Sequence, residues 1–207
     1  MNNFELICPF GPRIYRSTLD NKVFQSLLDI SQDARRNMEE MQDTGYTNGA
    51  YVSLPNIESF NAFHTELKHH FMTYIEQCKN KKIDYKTFDV TIEESMWVNF
   101  QRKNDYNSLH VHEYSKLSAV IFLKIPKELK EELSKWTGKA SGRTGMIEFV
   151  FGMKNDFSPG TYTFLPEEGE IIVFPSYLLH QVYAFKSDVE RWTINVNMVG
   201  FNFQHLE

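Results

Sequence analysis

At Phe88 the spacing of apolar residues changes, and that change restricts the possible folds more than any other feature. Upstream, two stretches repeat apolar residues every three or four positions. Downstream, short runs alternate with period two, and the helical spacing does not return for long. Asp20-Asn21 offers an N-cap for a helix running to about Met41, whose stripe is Val23, Leu27, Ile30, Ala34, Met38 and Met41. A second helix is expected over 57–78, opened by Asn56 after Pro55, with Phe60, Phe63, Leu67, Phe71, Tyr74 and Cys78 on one face. Before them, residues 3–15 read as one or two short strands broken by Pro9, Gly11 and Pro12. Gly45 and Gly49 mark the loop between the helices.

The downstream runs predict strands at 89–92, 96–101, 117–125 (ended by Pro126), 145–151, 162–164, 170–174, 181–185 and 192–198. Residues 127–144 are polar and charged. They suggest a short exposed helix and then a loop containing Gly and Ser, a solvated insertion able to act as a lid together with the loop at Lys154-Asn155-Asp156. So many short strands separated by turns indicate a sandwich or barrel rather than βαβ units, and the helices ahead of them make the class α+β. No internal repeat or Gly/Ser/Pro-rich linker divides the chain. One domain is expected over 1–207, with strands and helices in 1–86 and the β-core in 87–203.

Composition narrows the function. Seventeen Phe and ten Tyr suit half-buried pleated surfaces, and a net charge of −5 argues against a nucleic-acid binder resting on bulk electrostatics. Cys8 and Cys78 form neither a disulfide framework nor a thiolate metal site. The first residues lack the basic and apolar regions of a signal peptide, and no apolar run approaches the ~20 residues of a membrane helix. The expectation is a cytoplasmic protein.

The chemistry concentrates in Leu109-His110-Val111-His112. Histidines at i and i+2 of an extended segment share one face. His180, just past Phe174-Pro175-Ser176, supplies a third imidazole, and three imidazoles from two distant segments can hold a first-row divalent metal while leaving positions open. His64, His69 and His70 fall on the second helix without an i, i+4 partner among them, so surface or boundary roles are expected there. Arg191 opens an alternating apolar strand. It is either a surface residue paired with Asp188 or Glu190, or a buried cation needing a carboxylate ligand, with Thr193 on the same face adding a hydroxyl. Asn99 and Gln101 share a face with Trp97 and are candidates for the same ligand. Asn197, Tyr106 and Tyr177 are candidates for the border of the cavity.

His110-Val111-His112, then His180, then Arg191-Trp192-Thr193 resembles the pattern of the iron(II)- and 2-oxoglutarate-dependent oxygenases. Asn104 to His112 before Leu117-Ser118, and Phe174 to Val182, look like a group of small prolyl-hydroxylase-like oxygenases often encoded by phages. The resemblance covers roughly 88–200. It implies a double-stranded β-helix (jelly-roll) core with two support helices, and iron(II) held by His110, His112 and His180. It also implies 2-oxoglutarate gripped by Arg191 and Thr193 near Asn99 and Gln101, O2 as the other co-substrate, and hydroxylation of a peptidyl side chain or small metabolite. The sequence departs from the pattern at His112, where most relatives carry Asp or Glu, and Glu113 and Asp105 remain alternative ligands. A halogenase is disfavoured, because halogenating relatives place a small residue there. Where relatives use a Tyr to touch the co-substrate, Phe122 occupies the region. Two other readings stand beside this one: a cupin-like three-His dioxygenase that does not use 2-oxoglutarate, and a non-enzymatic jelly-roll binding or virion protein.

Overall fold

The computed structural model describes residues 4–7, 11–38, 50–54, 61–84, 88–93, 96–135, 142–156 and 159–201. The N-terminal part carries strands β1 (Phe4–Ile7) and β2 (Ile14–Thr18), helix α1 (Asn21–Arg36), strand β3 (Ala50–Leu54) and helix α2 (Asn61–Lys79). Strands β4 (Val90–Ile92), β5 (Met96–Gln101), β6 (Asn107–His110) and β7 (Leu117–Lys124) follow, then helix α3 (Lys127–Ser134). Strands β8 (Ile147–Val150), β9 (Thr161–Phe164), β10 (Glu170–Pro175), β11 (Leu179–Val182) and β12 (Arg191–Phe201) end the described chain.

Helix α1 starts where its cap chemistry says it should: the Asp20 carboxylate accepts from the N–H of Lys22 at 2.8 Å. It ends earlier than expected, at Arg36, with the Asn37 N–H on the Asp33 carbonyl and two arginines in the last turn, where they favour the helix dipole. Val23 and Leu27 are buried, while Ile30, Ala34 and Met38 pack half-buried against the same cluster. Helix α2 buries Phe63, Leu67, Phe71 and Tyr74. Cys8, Met41, Gly45, Gly49 and the expected cap Asn56 lie outside the described residues. Strand β3 was not legible in the sequence: it is a five-residue edge strand paired only with β5 among the described strands.

The strands form two sheets. The larger runs β1-β2-β10-β7-β12-β5-β3, with β4 also on β12, and the smaller runs β6-β11-β8-β9. Every pairing is antiparallel. Two facing antiparallel sheets make the jelly-roll, or double-stranded β-helix, architecture.

Period two then sorts each central strand of the large sheet into two chemistries. Val98 and Phe100, Ala119 and Ile121, Ile171 and Val173, and Trp192, Ile194, Val196 and Met198 pack in one cluster with the helices. The opposite parity faces the small sheet. Val120, Phe122, Ile172 and Phe174 pack there against Ile147, Phe149 and Val182. The polar residues Asn99, Gln101, Ser118, Arg191, Thr193, Asn195 and Asn197 share that parity and are all buried. A strand apolar on both faces would only be structural. These strands reserve one face for polar groups inside the protein, and that face needs partners.

Helix α3 is the short, largely exposed helix expected here, but it is anchored to the core. Leu129 is fully buried in the cluster between the sheets. Glu132 takes the N–H groups of Lys186 and Ser187, pinning the helix to the approach to β12. Gly145 sits at φ 63°, and a Cβ there would meet Leu129 Cδ1 at 2.8 Å, so glycine is needed both for conformation and for space. Residues 136–141 are not described. Among the described residues, no helix is long and apolar enough to cross a membrane.

Candidate metal centre

Antiparallel pairing of β6 with β11 sets His110 opposite His180. In each, the ring Nδ1 meets the carbonyl two residues back: His110 with Ser108 O at 2.6 Å, His180 with Leu178 O at 2.9 Å. A carbonyl can only accept, so Nδ1 carries the proton and Nε2 is left as the lone-pair donor for a metal.

His112 arrives differently from the expectation of a shared strand face. Strand β6 ends at His110, and Val111 and His112 lie beyond it. The His112 N–H instead donates to the Ser176 carbonyl at 2.9 Å, so the turn after β10 holds it. The three rings nevertheless converge, with centroids 4.2 Å apart for His110 and His180, 5.3 Å for His110 and His112, and 5.1 Å for His112 and His180. Their ligand atoms all lie within 4.8 Å of one another. Burial pushes each imidazole's pKa down. His112 falls to about 4 through burial and then through His110, and His180 falls well below the usual range. Neutral imidazole is the ligating form.

Among the described residues, no other group of three or more His, Cys, Asp or Glu side chains converges in this way. Asp105 accepts from the Arg102 N–H and Glu113 is exposed, so neither alternative carboxylate joins the cluster. His64 and His69 stay outside it. His70 does too, but it is fully buried rather than at a boundary, with Nδ1 at 2.8 Å from the Tyr15 hydroxyl.

Arg191 is 1% exposed. It is not the surface ion pair that its neighbours suggest: Glu190 is bound by Arg35 and by the Trp192 indole. The guanidinium donates once, from Nη1 to Gln101 Oε1 at 2.6 Å, and lies 5.5 Å from the centre of the Phe122 ring. Among the described residues, Nε and Nη2 have no partner. Burial pushes its pKa down to about 9, which leaves it charged at neutral pH. A buried cation with two empty donor positions matches a carboxylate, which accepts a guanidinium bidentately.

The other inward residues divide. Thr193 is buried, cross-strand from Asn99 and Phe122. Gln101 is spent on Arg191 and, through Nε2, on Asn107 Oδ1 at 2.9 Å, so it acts by positioning Arg191. Asn197 accepts from Ser118 and donates to Glu93, and Ser118 also bonds Ser176, so this expected cavity residue is bound on both sides. Phe149 and Phe174 pack on the His180 ring, and Trp97 lies 6.2 Å from that of His112. Tyr106 and Tyr177 are exposed. Sequence reasoning missed Asn195, Ser118 and Ser176. For Asn195 the signal was present, because it continues the parity of Arg191 and Thr193.

Next to His180 along β11, Gln181 belongs to a second polar group. Glu148 on β8 accepts from Arg143, Thr163, Gln181 and Tyr183, which ties β8, β9 and β11 together. Burial acts to raise the carboxyl pKa, but the bonds from Tyr183, Gln181 and Thr163 prevail and hold it below the usual range.

Residues 95–197 match the family model described as "Putative 2OG-Fe(II) oxygenase". No curated protein sequence matches the chain. Among solved structures, the fold is similar to a Pseudomonas putida prolyl-4-hydroxylase (12% identity, TM-score 0.54, 95% of this chain and 92% of that one). It is also similar to a Trichoplax adhaerens prolyl hydroxylase solved with a hypoxia inducible factor peptide (10%, TM-score 0.55, 94% and 82%). A third similar structure is HygX from Streptomyces hygroscopicus with nickel and 2-oxoglutarate bound (9%, TM-score 0.54, 95% and 82%). At these identities the likeness is one of fold.

Proposed function

Through residues 95–197 the chain belongs to the 2-oxoglutarate- and iron(II)-dependent oxygenases, and we propose that it is a hydroxylase with iron held by His110, His112 and His180. The observation that carries the assignment is Arg191: a buried, charged guanidinium with two donors unpartnered among the described residues, on the same interior face as polar residues that lead towards three neutral imidazoles. A dicarboxylate fits both features. One carboxylate would pair with Arg191 beside Thr193, leaving the keto-acid end for the metal that the three histidines would hold. The prolyl hydroxylases among the fold neighbours support hydroxylation as the reaction type.

When bound, iron and 2-oxoglutarate supply the oxidising power: O2 is consumed, 2-oxoglutarate becomes succinate and carbon dioxide, and one oxygen atom enters a substrate C–H bond. The protein's part is binding and exclusion. Ser108 and Leu178 fix the tautomers of His110 and His180, so their Nε2 atoms need no rearrangement to ligate. Gln101 holds one arm of Arg191, leaving Nε and Nη2 for the carboxylate. Phe122, Phe149 and Phe174 close the interior between the sheets and keep water from the reacting centre. In this reading the primary substrate is a peptidyl side chain or a small metabolite.

Three neutral ligands also suit a cupin-like dioxygenase that does not use 2-oxoglutarate, but that reading gives Arg191 no task. Thermal shift separates the two. With Mn(II) as the metal, added 2-oxoglutarate should raise the melting temperature of the wild type and leave Arg191→Ala unmoved. Stabilisation by metal with indifference to 2-oxoglutarate in the wild type would refute the proposal.

A further inference from the structure

Of the inward residues on β12, Arg191 and Thr193 make the proposed clamp and Asn197 is bound by Ser118 and Glu93. Asn195 remains between them. It is 8% exposed, and its Nδ2 is buried with no hydrogen-bond partner among the described residues. Register places it opposite Trp97 on β5 and opposite Val120 on β7. The Trp97 ring in turn meets the His112 ring at 6.2 Å. Asn195 therefore lies along β12 from Arg191 at the level of Trp97, the neighbour of His112, with an amide donor that no described residue uses. Leucine would fill the same space without leaving a buried N–H unsatisfied.

We infer that Asn195 is a further co-substrate-binding residue, whose Nδ2 donates to a carboxylate or keto oxygen at the metal-facing end of 2-oxoglutarate. The inference rests on the function proposed above and adds to it a second polar anchor on β12. Arg191 and Thr193 hold the far carboxylate. A five-carbon chain extended from them along β12 brings its keto-acid end towards the level of Asn195, since strand residues advance about 3.3 Å each. An amide N–H there stabilises negative charge at an oxygen that water cannot reach.

Calorimetric titration of 2-oxoglutarate into the Mn(II) protein tests this without turnover. Asn195→Ala should weaken 2-oxoglutarate roughly ten- to hundredfold, as expected for a hydrogen bond to a charged group. Mn(II) affinity should stay unchanged, and the melting temperature of the ligand-free protein should not fall. Asn195→Thr, which keeps a hydroxyl donor, should recover part of the loss. Unchanged 2-oxoglutarate affinity in a folded Asn195→Ala protein would overturn the assignment while leaving the oxygenase reading intact. So would a loss of ligand-free stability large enough to account for the weakened binding. Failure of the wild-type Mn(II) protein to bind 2-oxoglutarate would overturn both.

Discussion

Arg191 and His112 are the two residues that set this site's character. A buried guanidinium costs several kcal/mol in desolvation, and its bond to Gln101 returns about 1.5–3 kcal/mol. Arg191→Met should therefore raise the ligand-free stability by about 1–2 kcal/mol, read by urea denaturation, while abolishing 2-oxoglutarate binding. A lower stability would mean that the Gln101 bond and the Phe122 contact outweigh the cost of burying the cation. His112 tests the ligand set. As one of three donors within 4.8 Å of one another, its loss in His112→Ala should weaken Mn(II) at least about tenfold, while Glu113→Gln should not. Full metal affinity in His112→Ala would return the third position to a carboxylate. Three imidazoles leave the bound metal one charge more positive than two imidazoles and a carboxylate do. That difference favours a dianionic co-substrate and weakens intrinsic metal retention.

At the scale of elements, the helices and the site occupy opposite faces of one sheet. Leu27 is fully buried in the cluster of α1 with the outward residues of the large sheet. Leu27→Ala should cost about 2–5 kcal/mol by chemical denaturation and leave Mn(II) affinity within error of wild type. A parallel loss of metal affinity would show that the helices set the site's geometry rather than supporting it.

The small sheet has its own brace in Glu148. Its carboxyl is held below the usual range in the folded protein, so it contributes stability that is present above the unfolded value of about 4.3 and is lost as pH falls through the folded value. Glu148→Gln should be about 1–3 kcal/mol less stable than wild type at pH 7, and the gap should close as the pH is lowered below ~4. A gap that persists in acid would mean that the network is held by shape rather than by charge.

For the whole molecule, β12 lies inside the large sheet, where it pairs with β4, β5 and β7, turns Trp192, Ile194 and Val196 to the cluster with the helices and carries Arg191, Thr193 and Asn195 on its inner face. Ligand bound there stabilises the strand that most of the fold is built on. Mn(II) with 2-oxoglutarate at a hundred times its dissociation constant should add about 2.7 kcal/mol to global stability in a single cooperative transition. Two separate transitions, only one of them responding to ligand, would show that the helical layer and the β-core unfold independently.

How much of this was legible in the sequence depends on how local each cause is. The alternation of Arg191-Trp192-Thr193-Ile194-Asn195-Val196-Asn197 is local, so it settled the strand, its two faces and the polarity of the inner one. The cap at Asp20 and the stripe from Val23 were local in the same way. Three histidines and an arginine in a spacing typical of a known family point by themselves to a metal and an anion. Tertiary structure alone decided which groups are satisfied. Glu190 could have paired with Arg191 and instead pairs with Arg35 on α1, and Asn197 is bound by Ser118 and Glu93 while Asn195 is left open. His112 reaches the cluster through the Ser176 carbonyl rather than along a strand. Such choices rest on registers between distant segments, which alternation along one strand cannot encode, and they are what separate a donor already spent on the fold from one left for a ligand.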